Sequence, residues 1–167
     1  TGKPVSGMEL GALSTFTLRH VQPWYLDGQL IGYLELGSDA DWFVHELKRL
    51  LQQDMALLID KRHTSQARYQ GGQRVFRLPG QWGDDARVVV LGQTLSHLPG
   101  GLLPAWRDLA LRAGSGVLDL SDASQAWSVA IRPITDHSGR EMASLAVLRD
   151  VAPERADEAR QRLNLAA

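Results

Sequence analysis

LRHVQPWYLDGQLIGYLELG, residues 18–37, decides how the fold is read. Its Asp27-Gly28 pair tolerates the positive φ that both central residues of a type I′ turn require, so two antiparallel strands are expected to run back to back. Pairing Leu26 with Gln29 places Tyr25 opposite Leu30, Pro23 opposite Gly32, Val21 opposite Leu34 and His20 opposite Glu35. Side chains alternate along a strand, so Val21, Pro23, Tyr25, Leu30, Gly32, Leu34 and Leu36 form the expected core face. The opposite face carries His20, Gln22, Trp24, Ile31, Tyr33 and Glu35. Few core faces are so polar and few wet faces so aromatic, and the mixture suits a pocket wall. The competing reading leaves His20 and Glu35 as a cross-strand pair on a solvated surface.

Outward from the hairpin, Ser38-Asp39-Ala40-Asp41 supplies an N-cap with acids in the first turn. Phe43, Leu47, Leu50 and Leu51 follow at helical spacing, predicting a helix over 39–53. MALLID, residues 55–60, is a short apolar run ending on charge and reads as a buried strand. The 61–85 segment mixes basic residues, Gly, Trp and Tyr without period, predicting a short helix and a long loop of the kind that carries function. A strand at 86–94, a helix at 102–112 and a strand or turn at 116–121 come next. Residues 128–150 repeat the opening device, with Pro133, Asp136 and Gly139 matching Pro23, Asp27 and Gly28. From Pro153 a polar helix leads out, and the opening TGKPVSGMELGALS reads as irregular or edge-like.

The chain has 167 residues, a formal net charge of -1 and no cysteine. The size suits one domain, read as 1–152 with a helical tail at 153–167. Near-neutral, mixed charge offers nothing to steer a polyanion, so nucleic acid is not an expected partner. Lack of cysteine removes disulfides, thiolate nucleophiles and cysteine metal sites, yet fits the cytosol and the periplasm alike. Thr1 at the start suggests a piece of something longer. No nucleophile elbow, P-loop, dinucleotide fingerprint or H-E-x-x-H occurs, so no catalytic residue, cofactor or metal is named. Asp41 and His45, one helical turn apart, are two ligands beside an N-cap and no more.

Hairpin, helix, strand, irregular section, strand, helix, hairpin and helix make an α+β order. SGMELGALSTFTLRHVQPW, GQLIGYLELGSDAD, MALLIDKRH and WSVAIRPITDHSGREMASLAVLRDV resemble, in order and spacing, bacterial extracytoplasmic sensors of the Cache type, related to double Cache domains. The element from Pro23 to Gly32 is similar to the general Cache hairpin, and the likeness covers residues 6–151, weakest in the middle loop. It implies a PAS-like antiparallel sheet framed by two hairpins that meet in it, with helices and loops roofing a pocket over one face. It also implies a non-catalytic periplasmic domain of a membrane-anchored receptor, a histidine kinase, diguanylate cyclase or chemoreceptor, that binds a small molecule and signals through the tail, in a dimer. The long helix ahead of the first hairpin and the membrane spans are absent from this sequence, which therefore looks truncated. His20 stands where an aliphatic residue is expected.

The candidate ligand-binding residues are His20, Trp24, Tyr33, Glu35, Arg19, Lys61, Arg68 and Tyr69. Arg19, on the face opposite His20, needs a carboxylate, from a ligand or from Glu9 or Asp60. Lys61, Arg62, His63, Arg68 and Tyr69 enter the roof loop, where cations suit an anionic ligand or merely face solvent. Trp82 and Trp127 are expected to cap the cavity or pack in the core. Asp119 and Asp122 flank the last hairpin, where the resemblance implies an amine-gripping acid and turn chemistry implies a cap. The rival reading is a structural or dimerisation module of the same fold, with Trp24, Tyr33 and Trp82 as core plugs. If the faces are assigned correctly, Tyr33→Ala and Glu35→Ala spare the fold, whereas Leu34→Ala costs about 2–5 kcal/mol in a denaturant melt.

Overall fold

The computed structural model describes residues 2–112, 115–121, 125–136 and 138–165. Its strands are β1 (Val5–Leu10), β2 (Phe16–Leu26), β3 (Gln29–Asp39), β4 (Asp54–Asp60), β5 (Val88–Gln93), β6 (Gly116–Ser121), β7 (Ala126–Thr135) and β8 (Glu141–Asp150). Its helices are α1 (Ala40–Leu51), α2 (Gln66–Phe76), α3 (Leu102–Arg112) and α4 (Ala152–Leu165), with a 3-10 turn at Lys61–His63. The fold is α+β with two antiparallel sheets, ordered β1-β2-β3 and β5-β4-β8-β7-β6. None of the described helices is long and apolar enough to cross a membrane.

β4 organises the packing, because every residue from Met55 to Asp60 is buried. Alternation sends Met55, Leu57 and Ile59 to one side, where they pack with Phe16, Val44, Tyr69, Val89 and Leu91. Ala56 and Leu58 face the other side and pack with Val88, Val90, Leu102, Trp106, Val129 and Leu148. The first core is roofed by α1, α2 and the base of the small sheet, the second by α3. A continuous apolar run is what a strand covered on both faces requires.

Both hairpins form, but in different sheets. The expectation that they share one sheet is corrected: β2–β3 belongs to the small sheet and β7–β8 to the large one, with a parallel bridge between Met8 and Asp136 joining them. Asp27 and Gly28 have φ of 51° and 80°, the conformation demanded of the first turn. The predicted register holds for Leu26–Gln29 and Tyr25–Leu30 and then slips at a bulge between Trp24 and Tyr25. Ile31 is the extra residue, so Trp24 pairs with Gly32, Pro23 with Tyr33, Val21 with Glu35 and His20 with Leu36. A one-residue insertion re-sorts every side chain beyond it. Tyr33 and Glu35 now share a face with Val21 and Arg19, while Leu34 and Leu36 share one with His20 and Trp24.

The small sheet docks on α2 through two glycines. A Cβ on Gly72 would stand 2.2 Å from the Leu13 carbonyl oxygen, and one on Gly71 would stand 2.9 Å from the Leu13 side chain. Arg68 then donates from Nε to the Ala12 carbonyl and from Nη2 to the Gly11 carbonyl, both at 2.9 Å.

Asp136 ties off the second hairpin. Its Oδ1 accepts from the Ser138 hydroxyl and backbone N–H at 2.6 and 2.8 Å and from the Arg140 N–H at 3.1 Å. The Ser138 hydroxyl is the largest cause, with the backbone donors and the Arg140 charge adding to it, of a carboxyl pKa held down at about 2. Because the folded value lies below the unfolded one, this group stabilises the fold fully above pH ~4, and the contribution is lost as pH falls toward 2.

Three outcomes are expected. Gly72→Ala gains about 1 kcal/mol of helix propensity yet lowers stability by about 1–3 kcal/mol net in denaturant melts, because backbone must move to admit the methyl. Leu34→Ala, at a side chain 56% exposed, shifts stability by no more than about 0.5 kcal/mol, in place of the larger cost the unbulged register implies. Asp136→Asn flattens the fall in melting temperature between about pH 4 and pH 2 and is less stable than the parent at pH 7.

Candidate functional site

The face expected to line a pocket lies open to water. Trp24 is 63% and Tyr33 55% exposed, and His20 and Glu35 are also exposed. Both faces of this hairpin are solvent-facing, Leu30, Leu34 and Leu36 as well as Trp24, Tyr33 and Glu35, so the structure places Trp24, Tyr33 and Glu35 on a surface in either register. His20 accompanies Ser6, whose hydroxyl lies 2.6 Å from Nδ1, beside a shallow open depression of about 280 Å³. Arg19 has two carboxylate neighbours, Glu35 at its Nη1 and Glu9 with Oε2 3.0 Å from Nε. Glu9 was an anticipated partner, and Glu35 joins it through the slipped register. The Nε–H is not aimed at Glu9 and lacks a hydrogen bond despite that short charge contact.

The basic cluster is occupied by the protein itself. Lys61 donates from Nζ to the Trp82 and Asp85 carbonyls and sits 4.5 Å from the Trp82 ring centroid. Arg68 clasps the Gly11 and Ala12 carbonyls. Tyr69 is fully buried, its hydroxyl between the Pro79 and Val90 carbonyls, and burial pushes its phenol above the ordinary range with Asp84 adding to the rise. Irregular stretches carry carbonyls that no ladder satisfies, and these side chains supply donors to them, Lys61 and Tyr69 in the loop after α2 and Arg68 in the turn after β1. Asp119 pairs with Arg155 at 3.3 Å on the surface, while Asp122 lies outside the described residues. Trp127 packs against the second core and Trp82 against the first.

A cleft of about 460 Å³ opens elsewhere, where α1, the start of β2 and the C-terminal end of α2 meet over β4 and β5. Phe16, Leu57 and Leu91, all buried, are among its lining residues and give it an apolar floor. Trp42 and Phe76, 61% and 47% exposed, stand at the open side. Thr15, Asp39, Asp41, His45 and Arg77 supply polar groups. Asp39 occupies the N-cap of α1 but makes no side-chain cap bond, so its carboxylate is not spent on the helix. Arg77 ends α2 with φ of 55°, a left-handed conformation that turns the chain sharply at the cleft. Among the described residues no ion pair engages Asp39 or Arg77. His45 Nδ1 lies 2.9 Å from the Asp41 carbonyl and 3.7 Å from its Oδ1.

No protein-family model matches the chain, and no curated protein matches it. The site is therefore read from its geometry. An apolar floor with carboxylates, an imidazole and a guanidinium around it fits a small organic molecule with a hydrophobic body and hydrogen-bonding ends, and the volume lies within the range of such sites. Among the described residues no group of three His, Asp or Glu converges, and Asp41 and His45 gain no third ligand.

Spacing in the sequence marks Asp41 and His45, for another chemistry, and does not mark the rest. Trp42 was detectable, since an aromatic side chain falling off the apolar stripe of an amphipathic helix invites a second partner. Arg77 carries no sequence signal, because glycine is the residue expected where a helix ends left-handed.

Replacing Arg77 by Gly removes the guanidinium while relieving the left-handed backbone, so Arg77→Gly is expected to hold or raise stability, by up to about 1 kcal/mol in a denaturant melt.

Proposed function

We propose that the chain is the extracytoplasmic, non-catalytic sensing domain of a membrane-anchored signalling receptor, of the histidine kinase, diguanylate cyclase or chemoreceptor kind, and that a small molecule occupies the cleft beside α1. The single observation that carries this is the 460 Å³ cleft with its apolar floor and unpaired Asp39 and Arg77. The order β5-β4-β8-β7-β6 supports it further. That sheet is antiparallel throughout, which is compatible with the antiparallel sheet that the Cache resemblance implies.

A mechanical route also supports the reading. Leu57 of the cleft floor pairs across the sheet with Leu145 of β8, and β8 runs through Val151 directly into α4. Arg155 and Glu154 of α4 hold Asp119 of β6 and Arg149 of β8, at 3.3 and 3.4 Å. Tightening of α1 and α2 on a ligand thus shifts β4, β8 and the exit helix together, in a periplasmic dimer whose paired α4 helices lead toward the membrane. Signalling needs state-specific affinity. Moving a receptor from 1:99 to 99:1 takes about 5.5 kcal/mol of preference, most of the ~8 kcal/mol that micromolar binding provides, so partial population shifts are the working regime. The rival, a ligand-free dimerisation module, is favoured by the exposed Trp24, Tyr33, Leu34 and Leu36 of the first hairpin.

A thermal melt against a panel of amines, amino acids and small carboxylates tests the proposal. A cognate compound at about a hundred times its dissociation constant adds about 2.7 kcal/mol, raising the melting temperature of a chain this size by about 5–10 °C. That rise should vanish in Arg77→Gly and shrink in Asp41→Asn. A panel that leaves the melt unmoved, or a rise that survives both substitutions, overturns the assignment to this cleft.

A further inference from the structure

At the end of the large sheet where β4 stops and β8 begins lies a second, much smaller cavity of about 90 Å³. It is lined by Asp60, Arg62, Arg87, Trp106 and Ser144, with His63 and the first residues of β8 completing the wall. The Trp106 indole Nε1–H is buried and has no acceptor, although the residue is only 2% exposed. An indole N–H can only donate, and native structures seldom leave a buried donor unpaired. Ser144 is 1% exposed, and no hydrogen bond engages its hydroxyl among the described residues.

The charges in the wall point the same way. The Asp60 carboxylate, 7% exposed at its side chain, takes Nε of Arg87 at 2.8 Å and Nε of Arg62 at 2.9 Å on one oxygen. Its other oxygen takes the Arg62 backbone N–H at 2.8 Å. Burial alone would raise this carboxyl, but those bonds outweigh it and hold the pKa below the ordinary carboxylate value, so Asp60 is charged. Among the described residues each guanidinium spends only Nε, and no hydrogen bond engages the terminal N–H groups of Arg62 and Arg87. Arg87, the less exposed of the two cations at 25% against 71% for Arg62, balances the buried Asp60. Glu141, the other acid in the wall, is exposed and screened by water.

We propose that this cavity is a binding site for a small monovalent oxyanion of three or four non-hydrogen atoms, held by the Arg87 and Arg62 guanidinium groups, the Ser144 hydroxyl and the Trp106 indole N–H. An anion suits the terminal N–H groups of the two guanidinium groups, and its oxygen lone pairs give the indole and hydroxyl donors their acceptors. A void of about 90 Å³ accommodates an anion the size of formate, nitrate or bicarbonate. This site is separate from the cleft beside α1 and shares no lining residue with it. Its occupant would brace the Lys61–His63 turn against the start of β8.

The test uses the five tryptophans as reporters, in a ¹H–¹⁵N spectrum of their indole N–H groups. Trp106→Phe identifies the Trp106 signal by its loss. Sodium formate and sodium nitrate are added separately at constant ionic strength, with chloride as the control. A ligand of three or four non-hydrogen atoms binds no tighter than about 0.5 mM or about 40 µM respectively, so the titration runs from roughly 10 µM to roughly 50 mM. The expected result is a saturable shift of the Trp106 signal alone with either oxyanion, weakened roughly tenfold in Ser144→Ala and in Arg87→Gln. Should Arg87→Gln fail to fold, Ser144→Ala alone carries the comparison. A Trp106 signal that stays fixed with both oxyanions, moves as far with chloride, or saturates unchanged in Ser144→Ala overturns the proposal.

Discussion

Everything in this molecule is hung on one strand that has no wet side. From Met55 to Asp60 each residue of β4 is buried, and its alternate side chains belong to two different cores. A half-exposed strand resists a register slip on one face only, whereas β4 would bury wrong volumes on both. The strand can therefore be placed in one way, with β5 on one edge and β8 on the other. Its position fixes Leu57 in the floor of the large cleft and Asp60 in the wall of the small cavity.

Much of this was legible where the controlling chemistry is local. The Asp27-Gly28 turn, the apolar run of β4, the α3 helix at 102–112, the strand at 116–121 and the Asp136 turn all rest on neighbours in sequence. The bulge beside Trp24 was not legible, because an inserted residue leaves no compositional mark: Ile31 looks like any strand residue. That single residue exchanged the faces of Leu34 and Tyr33, while both faces of the hairpin, and with them the expected pocket wall, are open to solvent. The division into two sheets was hidden for a related reason. It depends on where β1 and the base of β2 land, and among the described residues a single bridge, Met8 to Asp136, joins the two ladders.

The candidate sites were illegible for a different reason. The cleft gathers Phe16, Trp42, Leu57, Phe76, Arg77 and Leu91 from separate elements, and no spacing rule relates them. The basic segment Lys61 to Tyr69 was correctly seen as unusual, yet its unusual feature is architectural. Lys61 and Arg68 spend their charge on main-chain oxygens in an irregular stretch, where an uncapped carbonyl would otherwise be stranded away from water. Cations near a loop thus have two readings, and only the count of satisfied donors separates them. The same count leaves Trp106 and Ser144 conspicuous, though neither stands out in the sequence.

The glycine pair in α2 carries a last consequence. Gly72 brings the helix backbone against the Leu13 carbonyl with no side chain between, and Gly71 seats the Leu13 side chain beside it. Ordinary packed elements slide past one another because rotamers absorb the first fraction of an ångström. Here that cushion is missing, so the small sheet and α2 behave as meshed gear teeth: a push on the far hairpin is delivered undamped to the helix whose last residue, Phe76, borders the cleft.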